Sequence, residues 1–231
     1  MRLHDLFKTS NIEEGRNDPH IFKAVFLAGG PGSGKSFVAN KMLKGYGLRT
    51  VNSDDIFEYL MKKADLDIGD PDVINSPEVQ DDETGIRTKA KKITKNKEKS
   101  HIEGRLGLII DGTGKDVDKV AKANRKLKDL GYDTMMLFVN TSEDVAQDRN
   151  QMRPRKLDRG MVSKMWHQVQ NNLMKFQQVF GSANFHVVDN SGGLEDPDRA
   201  ENFKNVEKTI RKFVNTAPTS IQAKKWLEQE N

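Results

Sequence analysis

The chain has 231 residues, 35% of them apolar and 31% charged, with a formal charge of +4 and no cysteine. That length supports one sizeable core, the absent thiols exclude disulfides, thiolate metal sites and cysteine nucleophiles, and no apolar run is long enough for a membrane span or a secretory signal core. The expected compartment is therefore the cytoplasm, and a pI near 9.1 is too mild to argue nucleic-acid binding by itself.

Residues 1–20 read as an N-terminal extension ahead of a domain expected over residues 21–215. Leu3, Leu6 and Phe7 fall at helical spacing. Two readings stand: a short helix packed on the domain edge, or a docking peptide for a protein partner.

Residues 24–28 form an apolar run with the character of a buried strand. Directly after it comes Gly29-Gly30-Pro31-Gly32-Ser33-Gly34-Lys35-Ser36. This matches G-x-x-x-x-G-K-[ST], the phosphate-binding loop. Glycines let backbone N–H groups turn inward around a phosphate, where a Cβ would block approach. Lys35 supplies a positive charge for β- and γ-phosphates, and the Ser36 hydroxyl suits Mg²⁺. A helix follows to about Lys44, with its N-terminus at the phosphates, and Gly45-Tyr46-Gly47 ends it.

Residues 48–52 read as strand two. Ser53 or Asp54 caps the next helix, and Asp54 and Asp55 in its first turn suit the dipole. The same carboxylates stand at the carboxyl end of a strand beside the phosphate loop, where open α/β sheets bind ligands. Residues 64–84 crowd Asp65, Asp67, Asp70, Asp72, Asp81, Asp82 and Glu83 with Pro71 and Pro77, and read as a mobile acidic loop. From Ile86 to Glu103 the charge inverts, with Arg87, Lys89, Lys91, Lys92, Lys95, Lys97 and Lys99 on a helical stretch. A solvated helix face is favoured over a phosphate-rich substrate track, because no aromatic residues interleave for base stacking.

Residues 106–111 form an apolar strand ending in Asp111, the shape of a Walker B strand whose acid supports Mg²⁺ or its water shell. Gly112-Thr113-Gly114 turns tightly, and a helix is expected over residues 116–130 and a strand over 134–139. Another helix starts at Ser142 and runs into Arg149, Arg153, Pro154, Arg155, Arg159 and Gly160. Residues 149–160 read as a lid that delivers guanidinium groups to transferring phosphates. One helix is expected over 162–180, with Trp166, Val169, Phe176 and Phe180 inward. Residues 185–189 read as the last strand, with Asn190 at the adenine border and His186 structural. A helix over 199–214 closes the domain. Residues 216–231 form a tail helix, capped by Ser220, that packs on the domain or docks a partner.

Strand–GGPGSGKS–helix followed by Asn52-Ser53-Asp54-Asp55 resembles the P-loop kinases of the polynucleotide kinase and zeta toxin group. Ile110-Asp111-Gly112-Thr113-Gly114 and Gly131-Tyr132-Asp133-Thr134 are especially similar to zeta toxins, whose corresponding strand end usually carries Glu. The similarity covers about residues 22–190. It implies a three-layer α/β sandwich with five mainly parallel strands in the order 2-3-1-4-5. It implies transfer of the ATP γ-phosphoryl group to a hydroxyl on a nucleotide-sugar, nucleoside or nucleic-acid 5′-end, with ATP and Mg²⁺ as cofactors. Asp54 then takes the acceptor proton, with Asp55 a close rival. Arg159 and Arg149 contact phosphate, with Arg153 and Arg155 as alternates. Ser36 and Asp111 form the metal set, and Lys35 and Asn190 belong to the nucleotide site. Residues 64–105 match neither relative, which leaves the acceptor open; nucleic acid is unfavoured for want of interleaved aromatic residues. The rival function is an ATP-binding assembly or regulatory module with little kinase activity, a reading motivated by the two docking-like termini.

Overall fold

Five apolar runs become strands: β1 (Lys23–Ala28), β2 (Arg49–Val51), β3 (Leu108–Asp111), β4 (Asp133–Asn140) and β5 (Phe185–Asp189). The computed structural model describes residue 15 and residues 18–153, 156–193 and 195–229. Around the strands lie α1 (Lys35–Val38), α2 (Ser53–Lys63), α3 (Pro71–Asn75), α4 (Pro77–Gln80), α5 (Ile86–Glu103), α6 (Val117–Asp129), α7 (Glu143–Gln151), α8 (Arg159–Gln170), α9 (Leu173–Phe180), α10 (Pro197–Asn215) and α11 (Ile221–Gln229). The strands pair in the order β2-β3-β1-β4-β5, and every pairing is parallel. The expected order holds.

Side-chain alternation creates the layers, because successive residues of a strand face opposite sides. Ala24, Phe26 and Ala28 of β1 share one face with Met136 and Phe138 of β4, and Leu127, Val169, Phe176 and Ala223 cover it from α6, α8, α9 and α11. Val25 and Leu27 share the other face with Met135, Leu137 and Val139. Val38, Met42 and Leu43 cover that face together with Phe203, Val206, Ile210 and Val214 of α10. The result is a three-layer sandwich with the phosphate loop, the start of α2 and Asp111 at the carboxyl edge of the sheet.

Several local expectations change. The helix after the phosphate loop makes one α-turn and then passes into a π-helical turn, Ala39–Leu43. The acidic segment expected to be a mobile loop holds α3 and α4. Each has proline at its first position, where the lost N–H costs least. Val79 anchors it by packing, fully buried, with Ile56, Phe57, Met61, Ile86 and Ala90. The cap of α2 is neither Ser53 nor Asp54 but Asn52, whose side chain accepts from the Asp54 N–H. The helix expected over residues 162–180 divides into α8 and α9 at Asn171 and Asn172. The buried Asn172 carboxamide donates to the Gly114 and Lys115 carbonyls at 3.0 and 3.1 Å, so the break ties this layer to the loop after β3.

The tail helix α11 packs on its own domain. Ala223 is buried, the Trp226 and Phe22 rings meet edge-on at 5.5 Å, and the Thr219 N–H and hydroxyl both bond the Asp133 carboxylate. The Asp133 carboxylate also pairs at 2.7 Å with the buried Lys23 ammonium, so the tail joins an internal ion pair. Leu3, Leu6 and Phe7, Pro154 and Arg155 lie outside the described residues. Among those described, no helix is long and apolar enough to cross a membrane.

Candidate active site

β1 delivers the chain to the sheet edge at Ala28, and the phosphate loop turns there. The Gly29 N–H donates to the Thr113 carbonyl at 3.3 Å and the Gly112 N–H to the Leu27 carbonyl at 3.2 Å, which stitches the loops after β1 and β3 together. Gly32 (φ +76°) and Gly34 (φ +86°) carry the turn in left-handed backbone. A Cβ on Gly32 would stand 2.2 Å from the Ala146 carbonyl oxygen, and one on Gly34 2.2 Å from the Asn190 amide nitrogen. Gly30 lies under the backbone of α8 at Trp166, whose indole N–H is held by the Thr141 carbonyl at 2.8 Å. Pro31 and Ser33 are buried, the Ser33 hydroxyl without a hydrogen-bond partner among the described residues, and Ser36 is exposed on the first turn of α1.

Lys35 arches back so that its ammonium donates to the Gly29 carbonyl at 2.9 Å. Burial lowers its pKa, Asp111 and Asp54 pull it back up, and Arg153 adds to the lowering. Asp111 is pushed up by burial, against Lys35, and Asp55 and Asp54 add to the rise. Asp55 is pushed up by burial and by Asp54, against Lys97. Asp54 therefore acts on Lys35, whereas the cation facing Asp55 is Lys97 of α5. Asn52 links these acids: its amide donates to Asp111 Oδ2 at 3.0 Å and to Asp55 Oδ1 at 3.3 Å. Asp111 Oδ1 is buried and has no hydrogen-bond partner among the described residues.

The donor set fits Mg²⁺. Ser36 and Asp111 offer hard oxygens, and the unpartnered Asp111 oxygen is suited to a cation or its water. No group of three or more His, Cys, Asp or Glu side chains among the described residues holds a metal alone. Mg²⁺ in nucleotide sites is typically held by one or two protein oxygens, with phosphates and water completing the octahedron.

The arginines divide. Arg149, near the end of α7, points Nη1 at the Gly32 carbonyl at 3.5 Å, and its pKa is lowered by burial and then by Arg199. Arg153 lies close enough for its charge to act on Lys35. Arg159 opens α8 with an exposed side chain, and its carbonyl accepts from Gln147 at 2.9 Å. The fully buried Asn150 clasps the Leu157 backbone through both amide atoms, at 2.8 and 3.1 Å. This closes the base of the expected lid.

A sequence profile for the zeta toxin family matches residues 8–201. The chain belongs to the zeta toxin family. Among solved structures it is similar to a protein from Chloroflexus aurantiacus j-10-fl described as a candidate kinase. That match has a TM-score of 0.54 and 13% identity over 83% of this chain and 97% of the other. It is equally similar, at TM-score 0.54 and 14% identity, to a chain of the PezAT chromosomal toxin–antitoxin system of Streptococcus pneumoniae, over 92% and 94% of the two chains. A chain of the Pnkp1/Rnl/Hen1 RNA repair complex matches at TM-score 0.50 and 19% identity over 73% of this chain and 49% of the other. At these identities the likeness is one of fold. A search of curated proteins finds no match.

In this zeta toxin family member, two further residues brace the loop from below. Asn190, expected at the adenine border, is buried: its amide donates to the Ser33 carbonyl at 2.7 Å. Its carbonyl accepts from Arg199 Nε at 3.2 Å and Nη2 at 2.8 Å. Both ends of the carboxamide thus engage protein. Arg199 also donates to the Gly193 carbonyl at 2.9 Å, and its guanidinium lies over the Phe37 and Phe203 rings at 5.4 and 4.9 Å. In the sequence Arg199 reads only as a helix start. Nothing local distinguishes a buried arginine there from a solvated one. Asn52 was more legible, since Asn directly ahead of a helix is among the strongest caps.

Proposed function

We propose that this chain is an ATP-dependent phosphotransferase that moves the γ-phosphoryl group to a hydroxyl on a separate acceptor. The observation that carries this reading is the electrostatic meeting of Lys35, Asp111 and Asp54 at one sheet edge. A loop ammonium, a metal-supporting acid and a second carboxylate are the parts that phosphoryl transfer to a hydroxyl needs. Membership of the zeta toxin family and the kinase description of the Chloroflexus protein support it.

In this reading the backbone N–H groups of Gly32, Gly34, Lys35 and Ser36 cradle the phosphates, and Lys35 leaves the Gly29 carbonyl for a phosphate oxygen. Ser36 and Asp111 would hold Mg²⁺, which would supply charge neutralisation at the phosphates. Asp54 orients the acceptor hydroxyl and takes its proton. Asp54 is favoured over Asp55 because its charge reaches Lys35, while Asp55 is engaged by Asn52 and faces Lys97. Arg149 and Arg153 meet the transferring phosphoryl oxygens, with Arg159 at the lid's far end. Asn190 acts beneath the loop. The acceptor is a nucleotide-sugar, a nucleoside or a nucleic-acid 5′-end. The likeness to a chain of an RNA repair complex keeps the third class in the test. A binding module without transfer has less support, because the C-terminal tail that motivated it packs on its own domain.

The experiment is an acceptor screen with γ-labelled ATP against nucleotide-sugars, nucleosides and 5′-hydroxyl oligonucleotides. Label should appear in one class and vanish with Asp54→Asn. ATP binding with no label transfer to any class would favour the binding module.

A further inference from the structure

Asn52 stands where β2 ends and α2 begins, in extended backbone at φ −140° and ψ 127°. One half of its carboxamide does the ordinary work of a helix cap: Oδ1 accepts from the Asp54 N–H at 2.8 Å. A cap needs only that acceptor, and Ser, Thr or Asp supplies it nearly as well. The other half reaches beyond the cap. Nδ2 donates to Asp111 Oδ2 at 3.0 Å, across 59 residues of sequence, and to Asp55 Oδ1 at 3.3 Å. A donor therefore lies between two carboxylates that would otherwise face each other. Asp in the same place would add a third negative charge, and Ser would lack the second reach.

The consequence falls on Asp111. With Oδ2 engaged by Asn52, the carboxylate plane is restrained. The remaining oxygen, Oδ1, is buried without a partner among the described residues. A buried acceptor left in that state is costly unless a ligand satisfies it. We infer that Asn52 is a positioning residue for the metal acid: it orients Asp111 so that Oδ1 stays open to Mg²⁺ or its water shell. This rests on the phosphotransferase reading. Partners that orient a metal ligand typically contribute about 10–100-fold in metal affinity.

The test uses calorimetric titration of ATP into the full chain, once with MgCl₂ and once with EDTA. Asn52→Ser keeps the cap and removes the donor. Its metal-free ATP affinity should stay within about twofold of wild type, while the gain in affinity conferred by Mg²⁺ should fall about tenfold or more. Asn52→Thr repeats the measurement with a second capping residue, so that poor folding of one variant does not decide the outcome. In an Asp111→Asn background, Asn52→Ser should have no further effect on the Mg²⁺ gain, because the two act as a unit. A full Mg²⁺ gain in Asn52→Ser, or additive losses in the double variant, overturns the assignment of Asn52 alone. Absence of Mg²⁺-dependent ATP binding in the wild type overturns the phosphotransferase reading, and this inference with it.

Discussion

Asn190 reaches across 157 residues of sequence to donate its amide to the Ser33 carbonyl at 2.7 Å. That bond turns a residue of the last strand's exit loop into the floor of the phosphate loop. Asn190→Ala would leave the Ser33 carbonyl and the Arg199 guanidinium short of a partner in a buried place. An unsatisfied buried group costs about 1–3 kcal/mol. Denaturant unfolding should show a stability loss of that order, and nucleotide affinity should fall with it. Wild-type stability in Asn190→Ala would mean that the brace is dispensable.

Lys35→Ala removes the ammonium whose pKa burial already lowers. The apo protein should lose little stability, since a desolvated charge leaves with the side chain. Mg-ATP affinity should drop by an order of magnitude or more, because charge-assisted bonds to phosphate are strong. The check is thermal unfolding with and without Mg-ATP. A retained nucleotide-induced shift would remove Lys35 from the phosphate site.

Asp54→Asn should keep ATP binding and lose acceptor phosphorylation by about a hundredfold or more, the scale of general-base contributions. Asp55→Asn should lose less, because Asp55 is turned toward Asn52 and Lys97. Steady-state rates with the acceptor found in the label screen decide the matter. The reverse ranking would move the base to Asp55.

His101 gives a pH signature. Burial, then the charges of Lys97 on its own helix and Arg49 on β2, lower its pKa to about 4 from 6.5. In the unfolded chain the ring takes a proton near 6.5, so the unfolded state binds more protons between the two values. This contribution to stability is present above pH 6.5 and is lost as pH falls towards about 4. His101→Leu removes it. Thermal midpoints of wild type should therefore fall relative to His101→Leu across that window. Parallel curves would refute the assignment. Comparing the two proteins cancels the opposite contributions of Asp55 and Asp111, whose raised pKa values favour the folded state in acid.

Replacing an arginine with lysine keeps the charge and loses the planar fork. Arg149→Lys and Arg153→Lys should lower turnover more than Arg159→Lys, since the first two lie against the loop or act on Lys35. Turnover and ATP affinity measured for all three variants test this. A larger loss at Arg159 would show that nucleotide binding brings the start of α8 into the site.

By itself, the sequence determined the strands, their order through family resemblance, and the phosphate loop. The physical reasons are local: apolar runs of strand length, glycines where a Cβ cannot fit, and a Lys-Ser pair at a helix start. It also placed Asp54, Asp55 and Asp111 at the sheet edge, because parallel strands bring their carboxyl ends to one side. Tertiary structure decided which partner each group meets. Ser53, Asp54 and Asn52 are all good caps by residue type, and only the fold, by bringing β3 alongside β2, gives the Asn52 amide a second use on Asp111. The acidic stretch looked like a loop because its charges dominate the pattern, yet one buried valine, Val79, holds it against α2 and α5. Arg199 is a charged residue at a helix start until α10 lies beside the phosphate loop. There it acquires Asn190 as acceptor and two aromatic faces, which allow a guanidinium to be buried. Contacts between residues so far apart in sequence leave no periodicity or spacing to read. They exist only once the sheet has set the elements side by side.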